Sequence, residues 1–241
     1  MESRHDSYNQ HISAQYNAEL EALKNHLLEM GGLVEQQLGD AIDALLRRDS
    51  GSAAPIIDKD AVINQMQVDI DEECSRILAR RQPAASDLRL VLTIGKLTND
   101  LERVGDEASK LARLAIDLSE DAASPSNLLE VRQLSTDVVD MLHASLNAFA
   151  RLEVHQAVGV VIADRETDRD YGSGLRSLTA LLMEHRDSIP TLLNEIWALR
   201  SLERVGDHAA NIAEQVIYLV RGVDVRHLSR KELKQQHLDQ P

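Results

Sequence analysis

Aromatic side chains are scarce: one Phe, one Trp and four Tyr in 241 residues. That removes the stacking platforms on which proteins hold single-stranded nucleic acid. It also thins the bulky residues that favour sheets. Cys74 is the only cysteine, so no disulfide can form within the chain, which suits a reducing compartment. Only five prolines interrupt it. No stretch nears the roughly 18 consecutive apolar residues of a membrane span; Ala157–Ala163 is the longest notable run. The segment Met1–His11 is polar and has no apolar signal core. The expectation is a cytoplasmic protein that meets a membrane only through a partner. Positive charge is also in deficit. A formal net charge of -14 argues against nucleic-acid binding, which needs clustered Lys and Arg. The acidic balance suits metal cations or basic partner surfaces, and equally plain solubility.

Leu, Ala, Glu, Gln and Arg are plentiful, and all favour helix. With 43% apolar residues and no low-complexity tract, the bulk of the chain should fold around a core. Tyr16, Leu20, Leu23, Leu27, Met30, Val34, Leu38, Ala41 and Leu45 step by threes and fours, one stripe along a long helix. Gly31-Gly32 weakens that helix and makes a kink possible; Asp49-Ser50-Gly51 ends it. A second helix is expected from Ser52 to Arg80, broken by Gln82-Pro83, and a third runs to about Glu120. Ser124-Pro125 reads as an N-cap followed by proline at the first helical position. Val131, Leu134, Val138, Met141, Ala148 and Leu152 give a fourth stripe, with a break near Glu153 to His155. A fifth helix follows to Glu184, a turn at Asp187, Ser188 and Pro190, and a sixth helix to Arg221, with Gly222 as its stop.

The hexapeptide Leu101-Glu102-Arg103-Val104-Gly105-Asp106 recurs as Leu202-Glu203-Arg204-Val205-Gly206-Asp207, 101 residues later. An identical six-residue repeat marks an internal duplication. The architecture expected is all-α, two tandem pseudo-symmetric three-helix bundles built from six long helices. Their bounds are expected at 1–121 and 122–222, with a polar tail at 223–241.

In each copy two carboxylates, Glu102 with Asp106 and Glu203 with Asp207, stand at i and i+4 beside an apolar seam. Like charges so placed repel by roughly 0.2–0.5 kcal/mol unless something neutralises them. Gly105 and Gly206 weaken their helices, so close helix approach or room for a bound group is expected there. Asp164 with Asp168 on the fifth helix repeats the spacing, and Asp60 with Asn64 on the second is its rough counterpart. Convergence of these helices would bring four or more oxygen donors together per half, a set that selects Mg, Ca, Mn or iron. Intrahelical pairing, such as Arg103 with Glu107, is the competing use of the same acids. No phosphate loop, nucleophile elbow or dinucleotide fingerprint is present. Trp197 reads as core or interface packing, and His208 as a surface histidine pointing away from Asp207.

Ala79-Arg80-Arg81-Gln82-Pro83-Ala84 with Asp87-Leu88-Arg89, followed by Asp100 and the first hexapeptide, resembles the PhoU family. So does the second hexapeptide continued by His208-Ala209 and Asn211-Ile212-Ala213-Glu214. The likeness spans about His11 to Gly222 and recurs in both halves. It implies a homodimeric, non-enzymatic, cytoplasmic negative regulator of the phosphate-starvation response and of phosphate uptake. The implied partners are the ATPase subunit of a phosphate ABC transporter and a PhoR-type sensor histidine kinase. It also implies a divalent or trivalent metal (Fe, Mn, Mg or Zn) at Glu102 with Asp106 and Glu203 with Asp207, Asp164 with Asp168 in companion positions. Asp60 with Asn64 departs from the family pattern by its amide, so that half should hold metal less well. A metal-dependent helical enzyme and a purely structural bundle are the alternatives.

Overall fold

The computed structural model describes residues 2–83, 85–120, 128–226, 228 and 232, with side chains from Ala14 onward. Six long helices follow one another: α1 (Glu2–Arg47), α2 (Ser50–Arg81), α3 (Ala85–Ser119), α4 (Leu129–Arg151), α5 (Val154–Glu184) and α6 (Ile189–Arg221). A short 3-10 turn, Arg186–Ser188, precedes α6. The described residues contain no strand. Helices α1, α2 and α3 pack together, and so do α4, α5 and α6. The repeats are joined by contact of α3 with α6 and of α1 with α4.

The apolar stripes explain the packing. Leu101, Val104, Ala108, Leu111, Ala115 and Leu118 on α3 are fully buried, as are Leu199, Leu202, Val205, Ala209, Ile212 and Val216 on α6. These two seams are the centre of each bundle, and each is covered by two neighbouring helices. The breaks are local. Asp49 caps α2 by accepting from the backbone N–H of Gly51. Gln82 ends α2 in the left-handed region, at φ 48°. Gly222 does the same for α6 at φ 71°, its N–H donating to the Tyr218 carbonyl at 2.8 Å. The break between α4 and α5 falls at Leu152 and Glu153, so Leu152, expected in the α4 stripe, is 46% exposed.

Helix α1 extends beyond the stripe that announced it, back to Glu2. Its Gly31-Gly32 pair lies within continuous helix. A Cβ on Gly31 would fall 2.9 Å from Leu146 Cδ2, so that glycine lets α4 approach α1. The expected cap at Ser124-Pro125 and most of the tail lie outside the described residues.

Candidate functional site

The two hexapeptides occupy equivalent places. Gly105 is where α3 comes closest to α1 and α2: a Cβ there would stand 3.3 Å from Gln37 Oε1 and 3.4 Å from Ile63. At Gly206 the corresponding neighbours are Thr167 Cγ2 of α5 at 3.3 Å and Val138 Cγ1 of α4 at 3.5 Å. Each glycine therefore lets its motif helix lie close to the helix that carries the companion acids.

The repeats then diverge. In the second, one oxygen each from Asp168, Glu203 and Asp207 lies within 4.8 Å of the others, the one such trio of acids among the described residues. Asp164, one helical turn before Asp168, is half-buried beside them. Burial first, and then the charges of Asp168 and Asp207, push its carboxyl up to about 7. Glu203 and Asp207 are likewise raised, by burial and then by the nearest carboxylate, Asp207 for the one and Asp168 for the other. Little compensates these charges. Arg200 Nη1 donates to Glu203 Oε1 at 2.8 Å, while Glu203 Oε2 is buried with no hydrogen-bond partner. Among the described residues Asp164, Asp168 and Asp207 form no ion pair and no hydrogen bond.

The first repeat pairs some of the same positions internally, although Glu102 Oε2 and Asn64 Oδ1 stay buried without a partner. Asp60 accepts from Ser109 Oγ at 3.2 Å and from Asn64 Nδ2 at 3.3 Å. Gln37 Nε2 donates in turn to Ser109 Oγ at 3.2 Å and to the Ile56 carbonyl at 3.1 Å. Arg103 lies 3.4 Å from both Glu102 and Asp106. Glu102 is still raised, by burial and then by Asp106. Along the motif helices the offset of 101 makes Ala210 the counterpart of Ser109 and Arg204 that of Arg103; the offset of 104 that takes Asp60 to Asp164 makes Met141 the counterpart of Gln37. The second repeat has thus exchanged its donors for apolar side chains, and its arginine faces elsewhere.

That arginine, Arg204, bonds Glu107 of α3 at 2.9 Å, across the junction of the repeats. Glu107, 2% exposed, also holds Lys110 at 2.9 Å. The pairing of Arg103 with Glu107 expected from spacing does not form. His208 is not a free surface group: its Nδ1 lies 2.9 Å from Asp100 on α3, both largely buried. Nor is Trp197 packed away, being 60% exposed. Arg81 makes a two-point contact with Glu19 of α1, with its Nη2 at 2.6 Å and Nε at 2.9 Å. Spacing alone did not reveal Arg200, although it stands three residues before Glu203; its first-repeat counterpart is Asn99.

The donor set of the second repeat fits a hard cation: oxygen ligands only, an orphaned buried oxygen and several uncompensated charges. Asp164, Asp168, Glu203 and Asp207 are the residues that would hold it. In the first repeat Asp60 and Asp106 have polar partners, while Glu102 Oε2 and Asn64 Oδ1 are buried with no hydrogen-bond partner, so what separates the repeats is the trio of close carboxylates and not the orphaned oxygen.

Known proteins share this plan. The PhoU domain matches the chain twice, over residues 27–115 and 131–216. The phosphate-specific transport system accessory protein PhoU homolog of Pseudomonas aeruginosa is 55% identical over 231 residues, 96% of each chain. The phosphate-specific transport system accessory protein PhoU of Escherichia coli is 44% identical over 225 residues, 93% of each chain. The crystal structure of PhoU from Pseudomonas aeruginosa matches with a TM-score of 0.85 at 56% identity, covering 86% of this chain and 100% of that one. With a domain match in each repeat and relatives aligned over nearly their whole length, the chain belongs to the PhoU family.

Proposed function

We propose that this chain is the accessory protein of a phosphate-specific transport system and a negative regulator of the phosphate-starvation response. It works in the cytoplasm as a homodimer and adaptor, between the transporter's ATPase subunit and a PhoR-type sensor histidine kinase. The observation that carries this reading is the full-length likeness to relatives named phosphate-specific transport system accessory proteins. Among the described residues no helix is long and apolar enough to cross a membrane, which agrees with contact through partners. An adaptor changes the output of a kinase only if it binds the kinase's signalling states with different affinity. Two bundles of similar plan and different surface chemistry are suited to engaging two partners.

The second acidic cluster is the metal site in this reading, held by Asp164, Asp168, Glu203 and Asp207, with Fe, Mn, Mg or Zn as candidates. The bound ion would supply the positive charge that the cluster lacks, tying α5 to α6. Its role is structural or regulatory, and no catalytic activity is assigned.

Deletion of the gene, with a reporter for phosphate-starvation genes, tests the regulatory role. Expression in phosphate-rich medium is expected to rise to the starved level and to fall again on complementation. Normal repression in the deletion strain, with no second copy present, counts against it.

A further inference from the structure

The α3–α6 junction has a second feature that the acidic cluster does not use. A cleft of about 370 Å³ opens between the two helices, with Glu107, Lys110 and Arg113 of α3 and Trp197, Arg200 and Arg204 of α6 in its lining. Four cations meet here in a chain of formal charge -14. The repeat does not account for them. Offset by 101, the opposite end of the junction carries Lys96, Asn99, Arg103, Asn211, Glu214 and Gln215, which mixes the two signs.

The cations are not all committed. Glu107 engages Lys110 and Arg204 from beneath, and Arg200 pairs with Glu203. Arg113 is exposed and, among the described residues, forms no ion pair or hydrogen bond. One buried carboxylate shared by two cations leaves an excess of positive charge facing the opening. Beside it stand the indole of Trp197, 60% exposed, and the partly buried Leu114. An inorganic anion would leave this apolar wall and most of the volume unused. A ligand with a planar aromatic body and more than one negative charge uses both: the ring stacks on the indole, and the charges meet the guanidinium and ammonium groups.

We infer that this cleft binds a nucleotide bearing at least two phosphates, with the base against Trp197 and the phosphates on Lys110, Arg113 and Arg204. Arg200 stays with Glu203 and is the one lining residue that the cleft shares with the acidic cluster.

Trp197 is the chain's only tryptophan, so its emission reports on this cleft alone. ADP is titrated into the full-length protein in the presence of EDTA, with excitation beyond the absorption of adenine. The expected result is saturable quenching that Arg113→Ala weakens by about tenfold and that Arg113→Lys partly restores. Arg113 is exposed, so its variants should fold, which helicity by circular dichroism checks. Absence of saturable quenching overturns the proposal, as does quenching that ignores Arg113. So does equal competition by inorganic phosphate at the same concentration, which would make this a simple anion site. Arg113-dependent binding of polyglutamate without binding of ADP would overturn it in favour of an acidic peptide.

Discussion

Ser109 donates a hydrogen bond to Asp60 at 3.2 Å, and the equivalent position in the second repeat, Ala210, has no hydroxyl to give Asp164. This pair captures how the duplicated acidic faces have parted. The first repeat satisfies its companion acid with Ser109 and Asn64. The second leaves Asp168, Glu203 and Asp207 together beside Asp164, with Arg200 paired to Glu203 alone.

Metal is therefore expected to favour the second repeat. Mn titrated calorimetrically into metal-free protein should bind there first, and Glu203→Gln/Asp207→Asn should abolish that phase. Glu102→Gln/Asp106→Asn should change only weaker binding. Asn64→Asp/Ser109→Ala should strengthen binding in the first repeat, because it restores an acid and removes a competing donor. Equal loss from either double variant would defeat the assignment.

The acids of the second repeat also set a pH dependence. Asp164 is held at about 7, against an ordinary value of about 4. The folded chain thus binds this proton more tightly than the unfolded chain. Its stability is greatest below the ordinary value and is lost as pH rises toward 7. After discounting for partial exposure, about 1 kcal/mol should disappear between about pH 5 and about pH 8. The Tm of metal-free protein should fall by about 2–4 °C over that interval. Asp164→Asn should flatten this slope, and so should bound Mn. An unchanged slope in the variant would show that Asp164 is not its source.

The glycine pair of α1 offers a local test. A Cβ on Gly32 meets nothing within 4 Å, whereas one on Gly31 falls 2.9 Å from Leu146 Cδ2. Gly32→Ala should stabilise the protein by about 0.5–1 kcal/mol, the difference in helix propensity. Gly31→Ala should forfeit that gain or reverse it, because Leu146, 6% exposed, must move within a packed core. Thermal melts of the two variants should differ by about 2–4 °C. Equal melting would mean that Leu146 yields freely.

These residues also show what sequence could and could not reveal. The seams of α3 and α6 were legible because a 3.6-residue period is local, and every seam position is fully buried. The acidic spacing was legible for the same reason. Asn64 was legible beside Asp60, one turn on along α2, but Gln37 and Ser109 were not, because they come from α1 and α3 and reach Asp60 only through packing. Arg103 and Arg204 are the same letter in the same hexapeptide. One stays with its own acids, while the other crosses to Glu107, and only the register of α3 against α6 decides that. His208 was misread on similar grounds, since the junction covers the imidazole, and of the two readings of Trp197, core or interface, the exposed indole removes the core.

The Glu107–Arg204 bond gives the last prediction. Glu107 is almost fully buried, at 2% exposure, and accepts from Arg204 and Lys110 at 2.9 Å each. Removing one member of a buried ion pair is usually severe because the other charge is stranded. Here both cations have side chains more than 40% exposed and can turn to water. The loss in Glu107→Gln should therefore be moderate, about 1–2 kcal/mol, with Tm lower by about 2–8 °C. Arg204→Ala should lose less, because Lys110 still serves Glu107. A double-mutant cycle should return a coupling of about 0.5–2 kcal/mol that high salt barely screens, as expected for a buried contact. Mn binding at Glu203 and Asp207 should persist in Glu107→Gln, since neither acid uses Glu107. Zero coupling would mean that Glu107 and Arg204 contribute nothing jointly to holding the repeats together, leaving that to the apolar contacts and to pairs such as His208 with Asp100.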